Sequence, residues 1–360
     1  MAGHLTYVMN DLATQPDQWI SLYVYYHENR GRVLRDLVVP LTNEVIAERR
    51  LADRFFFVQY PLGGPHLRIR FRCRADRQGE VTEIASESTR KFLRACPSLK
   101  SLEEEQICRI NHAILTSDQS EHDATIYPDN FFRILPFDPE IERYGGTGLL
   151  PHSLELFCAS SLAALDLLLD CELRTSNERL YAAAQLLFIQ AAGMAQNLSH
   201  LKAVLCYILE NRWDPVVKKA DQVYESNKAN FITLIDQVST MILGLEAEPK
   251  ESYLRSGIIH AASTLLVRTI STGDLKTRAT ILGSQMHMTA NRIGLRNADE
   301  VYLGRLLFRA AQDSAQSRPS SLQEAIASGP FLEELKDCST MPDLVDRSLA
   351  SYFAKGRGLG

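Results

Sequence analysis

Strict alternation of basic and apolar side chains over residues 66–72 is the feature that most constrains the fold. In a β-strand such alternation places the two classes on opposite faces. The apolar face holds Leu67, Ile69 and Phe71, and the basic face holds His66, Arg68, Arg70 and Arg72. Three guanidiniums on one face repel each other unless an anion meets them, and arginine can grip a carboxylate through two parallel hydrogen bonds. Alone, the segment favours a solvated basic face on an edge strand, with a carboxylate site as the alternative.

The preceding residues predict more of the same sheet. Trp19–Tyr26 and Arg54–Tyr60 are rich in aromatic and β-branched residues, which is typical of strands. A helical pattern over Val33–Arg49 separates them, and Pro40 predicts a break or kink in it. The turn Pro61–Pro65 then leads into the alternating strand. This order predicts a mixed or antiparallel sheet with a helix packed on it.

Helical periodicity dominates the rest of the chain. Residues 81–97 are predicted to be helical, and the polar stretch Thr116–Asn130 to be a loop. Apolar residues at three- and four-residue spacing predict long helices over His152–Cys171, Asn177–Glu210 and Ser256–Leu295. Long helices after an N-terminal sheet indicate an α+β fold.

We therefore expect an α+β protein with an N-terminal mixed or antiparallel sheet, packed helices and a predominantly helical C-terminal half. The prediction is a single domain over 1–360. Within it, a sheet-containing part covers 1–150, a helical part covers 151–350 and a frayed tail covers 351–360.

Composition narrows the class of protein. A chain of 360 residues with 45% hydrophobic content and a net charge of −5 is globular and acidic, so direct nucleic-acid binding is not expected. The N-terminus lacks the basic and apolar regions of a secretory signal. The most apolar stretch, Leu162–Leu169, is too short and too interrupted by Asp166 to span a bilayer. These features predict a cytoplasmic protein without membrane contact.

The sequence offers no motif for a metal or an organic cofactor. Its seven cysteines are scattered without a CxxC or Cys/His cluster, and Cys158, in an apolar run, is expected to be a buried free thiol. Walker, GxGxxG, GxSxG and HExxH patterns are absent. We expect neither disulfides nor a cofactor.

A second charged cluster lies in the segment 137–146. Asp138 and Pro139 predict the start of a short helical turn that Gly145 ends. Glu140 and Arg143 are three residues apart and share a face of this turn. On its own the pair is an ordinary intrahelical ion pair, whereas a functional site would use Glu140 to hold an ammonium and Arg143 to hold a carboxylate.

A third cluster lies in the segment 285–292. On a helix, His287 and Asn291 lie four residues apart on one face, with Ser284 nearby. Histidine suits proton transfer because its pKa is normally near neutrality. A core histidine among methionines is the commoner case. The remaining histidines offer no comparable grouping: His260 is expected to be structural, and His4 and His122 to lie in flexible or polar segments.

Taken in order, the three clusters resemble the elimination domain of class I lantibiotic dehydratases. That domain also occurs alone, as the small thiopeptide-type bacteriocin biosynthesis proteins that form the small subunit of split dehydratases. The similarity is carried by Phe57, Tyr60-Pro61, Gly64–Phe71, Glu140–Gly146, His287-Met288 and Asn291-Arg292. It runs from about Trp19 to about Leu307, nearly the whole chain.

The resemblance implies removal of glutamate from glutamylated Ser or Thr of a ribosomally made precursor peptide, which leaves dehydroalanine or dehydrobutyrine. The expected catalytic set is His287 for proton transfer, Arg68, Arg70 and Arg143 for carboxylates, and Glu140 for the amine. Whether His287 acts as base or acid stays open. Further substrate contacts are expected from His66, Arg72, Asn291 and Arg292.

The family's larger glutamylation domain has no counterpart here, so the resemblance implies a separate tRNA-dependent glutamylating subunit as partner. It also implies no metal or organic cofactor, and it is compatible with a homodimer. Two departures from the family pattern stand out: Phe137-Asp138 replaces a Tyr-Glu pair, and Ser160 replaces an acidic residue. Either change points to altered substrate geometry without removing a proposed catalytic group.

Two alternatives remain. Some stand-alone relatives act as pyridine synthases, joining two dehydroalanines in a formal [4+2] cycloaddition during thiopeptide macrocyclisation. That reaction has no glutamyl group to grip, so the set of five charged residues favours elimination. The other alternative is a non-catalytic protein that only docks the glutamylating subunit or the leader of the precursor peptide.

Overall fold

The computed structural model describes residues 19–28, 30–117, 125–170, 176–207, 213–243, 250–270, 275–317, 322–323 and 326. The chain divides into two compact units, one ending at Pro139 and the other beginning at Glu140. The predicted tail 351–360, Cys171, Cys338, His4 and His122 lie outside the described residues. That the units form a single domain stays a prediction.

The first unit is built on a four-stranded antiparallel sheet in the order β2-β3-β1-β4. Its strands are β1 (Trp19–Tyr25), β2 (Ala52–Tyr60), β3 (His66–Cys73) and β4 (Phe131–Pro136). The three predicted strands are confirmed, and the choice between a mixed and an antiparallel sheet is resolved. Strand β4 was not predicted, because we assigned no element to residues 131–136.

One face of the sheet is the core of this unit. Leu22 and Val24 of β1 are fully buried, as are Leu67, Ile69 and Phe71 of β3. Complete burial of such a side chain stabilises the fold by roughly 1.5–3 kcal/mol. The helix α3 (Gln78–Ala95) packs on the sheet and supplies buried apolar side chains, listed here: Val81, Ala85 and Phe92.

The segment predicted as a helix with a break at Pro40 is helical from Arg30 to Glu48 and continues through the proline. It consists of α1 (Arg30–Val33), a π-helical turn (Leu34–Val38), α2 (Val39–Thr42) and a second π-helical turn (Asn43–Glu48). Pro40 lies at the start of α2, where a proline's missing N–H and fixed φ are tolerated. The predicted break is therefore wrong, and the helix widens instead.

The stretch 116–130 is only partly the predicted loop. Helix α4 (Glu104–Ser117) extends into its first two residues, residues 118–124 lie outside the described part, and residues 125–130 are irregular. The backbone N–H of Tyr127 donates to the Gly63 carbonyl oxygen over 2.9 Å. Gly63 has φ +78°, and a Cβ there would lie 2.5 Å from the Thr125 carbonyl oxygen. The turn before β3 therefore needs a glycine at position 63 to lie this close to residues 125–130.

The second unit is helical, as predicted. Its helices are α5 (Gly146–Asp170), α6 (Ser176–Met194), α7 (Leu198–Leu205), α8 (Asp214–Ile242), α9 (Lys250–Thr269), α10 (Leu275–Arg292) and α11 (Asn297–Ser317). Two predicted helices are in fact pairs. The pattern over Asn177–Glu210 is divided between α6 and α7, since Asn197 caps α7 by accepting from the His200 N–H. The pattern over Ser256–Leu295 is divided between α9 and α10.

Helix α5 is long and apolar enough to cross a membrane by length and composition. Of its most apolar window, 72% is buried inside the protein, as in the core helix of a globular unit. Cys158 on this helix is a buried free thiol, as predicted. His260 on α9 is also buried, which agrees with a structural role.

Candidate functional site

The basic side of β3 is not the solvated edge that the sequence alone favoured. Strand β3 lies between β2 and β1, so it is an interior strand. His66 is 1% exposed and Arg70 is 8% exposed. Basic groups buried to this extent need partners to offset their lost hydration, and the sheet supplies aromatic rings and hydrogen-bond acceptors.

Arg68 is held by stacking and by one hydrogen bond. Its guanidinium carbon lies 3.6 Å from the centroid of the Tyr60 ring and 4.9 Å from that of Tyr23. Its Nε donates to Nε2 of His66 over 3.0 Å. This hydrogen bond uses the inner nitrogen, so the two terminal nitrogens can form the forked contact that suits a carboxylate.

His66 orients Arg68 as a neutral imidazole. Its Nδ1 lies 2.8 Å from the Gly64 carbonyl oxygen and its Nε2 accepts from Arg68, so the ring proton is on Nδ1. Burial, followed by the positive charges of Arg68, Arg30 and Arg70, lowers the pKa of His66 to about 3. His66 was predicted to contact substrate. The geometry gives it a contact with Arg68, and its direct substrate contact stays a prediction.

Arg70 lies deeper on the same face. Its guanidinium carbon is 5.2 Å from the Phe56 ring centroid and 4.8 Å from that of Phe137. Its Nε donates to the Ser21 hydroxyl over 3.3 Å. Phe137 is one of the two departures from the family pattern, and here its ring forms part of the wall against Arg70.

Arg72, the last predicted contact on this strand, is engaged by an acid. Its Nε and Nη2 donate to the two carboxylate oxygens of Asp53 over 2.9 and 2.6 Å. This forked ion pair is half-exposed, which limits its contribution to stability to about 1 kcal/mol. The predicted role of Arg72 in substrate binding stays a prediction.

The Glu140–Arg143 pair forms as predicted, although the turn that carries it begins later. The 3-10 turn is Glu142–Tyr144, and Ile141, not Asp138, is its N-cap. Gly145 ends the turn at φ +93°, as expected. Nη1 of Arg143 donates to a carboxylate oxygen of Glu140 over 2.8 Å.

Arg143 connects this turn to helix α10. Its Nε donates to the Ser284 hydroxyl over 3.4 Å. Burial acts to lower the pKa of Arg143, but Tyr144 and Glu140 raise it above the usual value, so the guanidinium stays charged. Ser284 and His287 are three residues apart on α10 and share a face. The second unit therefore brings Glu140 and Arg143 to the helix turn next to His287.

His287 is paired with a carboxylate that the sequence did not reveal. Its Nδ1 lies 2.9 Å from Oε2 of Glu300, in the first turn of α11. Gly294, with φ +82°, ends α10 and lets the chain reverse, which returns Glu300 to His287. The His287 side chain is 25% exposed, whereas that of Glu300 is 9% exposed. The ring can thus meet a ligand while its carboxylate partner stays inside.

Tyr207 extends this pair. Its hydroxyl donates to Oε1 of Glu300 over 3.4 Å, and burial followed by the charge of Glu300 raises its pKa well above the usual value. Gly283 makes room for the Tyr207 ring, and Gly304 makes room for the backbone of Leu205. A Cβ on Gly283 of α10 would lie 2.2 Å from the Tyr207 ring, and one on Gly304 of α11 would lie 2.1 Å from the Leu205 carbonyl oxygen.

The two remaining predicted contacts follow His287 on α10. Arg292 is fully buried, its Nε donates to the Ser161 hydroxyl over 3.0 Å, and its guanidinium carbon lies 4.6 Å from the Phe157 ring centroid. Asn291 is half-buried. The substrate-binding roles of Asn291 and Arg292 stay predictions. Ser160, the second departure, is buried and donates to the Phe157 carbonyl oxygen over 3.2 Å.

Sequence reasoning missed Glu300, Tyr207 and Arg133, an arginine on β4 that shares the face of Arg68. Glu300 reaches His287, and Tyr207 reaches Glu300, only through tertiary packing. The aromatic and branched apolar residues that surround Arg133, Phe131, Phe132, Ile134 and Leu135, were the available signal for the strand that carries it. Among the residues that the structure describes, no group of three or more His, Cys, Asp and Glu side chains is arranged to hold a metal ion.

Three solved structures have a similar fold. The pyridine synthase TbtD from thiomuracin biosynthesis matches with a TM-score of 0.66 and 18% identity over 83% of this chain and 99% of TbtD. The tRNA-dependent lantibiotic dehydratase MibB from Microbispora sp. 107891 matches with a TM-score of 0.56 and 22% identity. That match covers 84% of this chain but only 28% of MibB. TsrL matches with a TM-score of 0.52 and 17% identity over 86% of this chain and 98% of TsrL.

At these identities the likeness establishes a common fold and not a common reaction. A comparison with curated protein sequences found no significant match. The family model described as "Lantibiotic biosynthesis dehydratase C-term" matches residues 19–311, which covers most of the chain and all three charged clusters. The chain therefore belongs to the family of lantibiotic biosynthesis dehydratase C-terminal domains.

Proposed function

We propose that this protein removes glutamate from glutamylated Ser or Thr side chains of a ribosomally made peptide. The observation that carries the proposal is the arrangement around α10. Arg143, ion-paired with Glu140, contacts Ser284 one helical turn from His287, and Glu300 holds the imidazole. A β-elimination from a glutamyl ester requires a cation for the carboxylate, an acid for the ammonium and a correctly oriented proton acceptor.

The reaction breaks two bonds of the substrate. The imidazole takes the proton from the Cα of the esterified Ser or Thr, the Cα–Cβ double bond forms, and the bond from Cβ to the ester oxygen breaks. Glutamate leaves as a carboxylate. The Glu300 carboxylate at Nδ1 favours a proton there, which leaves the Nε2 lone pair of His287 for the substrate proton.

The charged groups match the glutamyl unit. Arg68 offers two terminal nitrogens for a carboxylate, and Arg143 offers a guanidinium that stays charged. Glu140 supplies a negative charge for the glutamyl ammonium. In the proposal Arg68 and Arg143 each bind a carboxylate, and Arg70 supports the carboxylate that leaves.

The substrate must reach this protein already glutamylated. MibB is a tRNA-dependent dehydratase, and the chain matches 28% of its length. The proposal assigns glutamylation of the peptide to a separate tRNA-dependent enzyme. Because aminoacyl-tRNA is a cytoplasmic substrate, the proposal places the reaction in the cytoplasm. The elimination itself needs no metal or organic cofactor, since it is an acid–base reaction.

A second candidate function is [4+2] cycloaddition between two dehydroalanines. The specific observation in its favour is the match to TbtD, a pyridine synthase of which 99% is covered. The cycloaddition gives no role to an ammonium-binding acid or to carboxylate-binding arginines. The Glu140–Arg143 pair beside α10 is therefore the feature that favours elimination.

The deciding experiment offers the protein two peptides. One is a synthetic peptide with a glutamyl ester on Ser, and the other contains two dehydroalanines at positions suited to pyridine formation. Elimination predicts free glutamate and a dehydroalanine product from the first peptide only, with loss of both products in His287→Ala and Arg68→Ala. Arg74→Ala, at an exposed ion pair with Asp76, is the matched control and should keep full activity.

Each of the other outcomes points elsewhere. A cyclised product from the second peptide, with the ester untouched, would assign the cycloaddition. If neither peptide changes but the protein binds the glutamylating enzyme, the non-catalytic docking role holds instead.

A further inference from the structure

A second arginine faces Arg68 across the sheet. The register pairs Tyr23 of β1 with Arg68 of β3 on one side and with Arg133 of β4 on the other. Directly paired residues of antiparallel strands share a face of the sheet. The guanidinium carbons of Arg68 and Arg133 lie 4.9 and 5.8 Å from the Tyr23 ring centroid. Two cations therefore flank one aromatic ring.

Arg133 is fixed in place by Tyr127. Its Nη1 donates to the Tyr127 hydroxyl, and its guanidinium carbon lies 4.5 Å from the centroid of that ring. The Tyr127 ring stacks parallel to Phe131 with centroids 5.8 Å apart, and its backbone N–H is bound by Gly63. The arginine is thus oriented by the protein itself, which reduces the entropy lost when a ligand binds.

Arg68 and Arg133 differ from Arg72 in their acidic neighbours. Arg72 of the same face has the forked ion pair with Asp53, but in the described part of the chain neither Arg68 nor Arg133 is within ion-pair distance of a carboxylate. The charge of Arg68 also acts on the buried ring of His66. Half-buried cations on one face favour an anionic ligand, and planar guanidiniums favour carboxylates.

The spacing indicates which carboxylate Arg133 would take. Arg68 and Arg133 are separated by two strand spacings, roughly 10 Å in a β-sheet. The carboxylate of a glutamyl side chain lies only a few bonds from its own α-carbon, so one glutamyl group held at Arg68 does not extend to Arg133. An acid on a longer ligand can.

We propose that Arg133, Tyr127 and Tyr23 form a second carboxylate-binding subsite, which takes an acidic group of the substrate peptide other than the glutamyl ester. The inference rests on the proposed function in taking a peptide as the substrate. The carboxylate comes either from an Asp or Glu side chain or from the peptide's C-terminus. Its binding to Arg133 adds affinity and fixes which part of the peptide lies beside the sheet.

The test is a binding measurement that needs no turnover. The probes are short peptides with a central Ser, two Asp residues and a free C-terminal carboxylate, labelled with an uncharged fluorophore and measured by fluorescence anisotropy. Matched probes replace Asp by Asn, amidate the C-terminus, or do both. Arg133→Gln is expected to weaken binding of the acidic peptide about tenfold and to leave binding of the fully neutralised peptide unchanged. Whichever single change in the peptide removes the sensitivity to Arg133→Gln identifies the source of the carboxylate.

Two further variants make the result specific. Arg90→Gln removes an exposed arginine that lies 5.9 Å from the ring of Phe132, the neighbour of Arg133 on the opposite face of β4. It should leave binding unchanged. Tyr127→Phe keeps the ring stack and removes the hydroxyl partner, so a smaller loss than in Arg133→Gln is expected.

Three results would overturn the subsite: equal affinity of Arg133→Gln and wild type for the acidic peptide, an equal loss for acidic and neutralised peptides, or the same loss in Arg90→Gln. The proposed function is tested separately: it fails if the wild type releases no glutamate from a glutamylated peptide. The dependence of peptide binding on Arg133 and on carboxylate is measured whether or not glutamate is released.

Discussion

Nδ1 of His287 and Oε2 of Glu300 are 2.9 Å apart, although the two residues belong to different helices. The carboxylate is buried and the imidazole is partly exposed. A buried acid that binds one ring nitrogen fixes both the orientation and the protonated nitrogen of a histidine. Glu300 is thus a positioning residue for the proposed proton acceptor.

Replacing Glu300 by Gln should lower kcat for glutamate release about 100-fold and leave KM nearly unchanged, because in the proposal Glu300 acts through His287 and not on the substrate. The measurement is steady-state release of glutamate from a glutamylated peptide. The 15N chemical shifts of the His287 ring should show the proton on Nδ1 in the wild type and a mixture of tautomers in the variant.

The control for this variant is Asp299→Asn. Asp299 is next to Glu300 on the same helix, but it pairs with the exposed Arg296 over 2.8 Å. It should keep both kcat and the His287 spectrum. Wild-type kcat in Glu300→Gln would contradict the positioning role.

Replacing Arg143 by Lys should lower kcat/KM about 10- to 100-fold, because an ammonium keeps the charge but loses the planar fork that binds a carboxylate in two places. Glutamate release is again the measurement. Arg74→Lys is the comparison, since Arg74 makes an exposed ion pair with Asp76 and should tolerate the change. Equal activity in the two variants would remove Arg143 from the proposed site.

Acid should destabilise the protein through His66. The folded protein holds the pKa of His66 at about 3, whereas the unfolded chain protonates it below about pH 6.5, so lowering the pH favours the unfolded chain. Between pH 7 and pH 5 this single group should remove about 2 kcal/mol of stability. This loss of stability is complete below pH 3, where His66 is protonated in both states, and it is absent above pH 7, where His66 is neutral in both.

The measurement is the free energy of unfolding by urea at pH 7 and pH 5, in the wild type and in His66→Gln. The variant loses some stability at both pH values because the contacts with Gly64 and Arg68 change. Its further loss on acidification should be smaller than that of the wild type by about 2 kcal/mol. Identical pH dependence in the two proteins would show that His66 is not held neutral.

Replacing Gly283 by Ala should lower the free energy of unfolding by about 1–3 kcal/mol, because the new Cβ would lie 2.2 Å from the Tyr207 ring. Chemical denaturation of Gly283→Ala gives this value. Displacement of Tyr207 from Glu300 should also reduce kcat. Gly148→Ala is the matched control, since no atom lies within 4 Å of its added Cβ and alanine favours a helix. If both variants are equally stable, Tyr207 does not need the space at Gly283.

The sheet and the overall α+β class followed from local patterns. The alternation in β3 and the aromatic composition of β1 and β2 predict strands because side chains on a half-buried strand repeat every two residues. Helix ends were harder. The division between α6 and α7 depends on Asn197, one polar residue in an otherwise continuous helical pattern. The path through Pro40 depends on π-helical turns, which leave no signature in the spacing of apolar residues.

The charged residues were found as three separate clusters, and their partners were not found. Glu140 and Arg143 are three residues apart and form the ion pair that this spacing predicts, although Glu140 precedes the 3-10 turn that carries Arg143. Glu300 meets His287 because Gly294 reverses the chain, and Tyr207 reaches Glu300 because Gly283 leaves room for its ring. Such contacts depend on how helices pack, so spacing along the chain does not reveal them.

The single row of paired residues Arg68, Tyr23 and Arg133 ties the proposed carboxylate subsite to strand length. Deleting or inserting one residue within β1 would exchange its two faces, turning Tyr23 into the core and Leu22 out of it. Length changes in these strands therefore remove the core and the aromatic ring between the arginines together. Substitutions at alternate positions can change the proposed subsite without exchanging the two faces of the sheet. Insertions are tolerated only in the segments between strands.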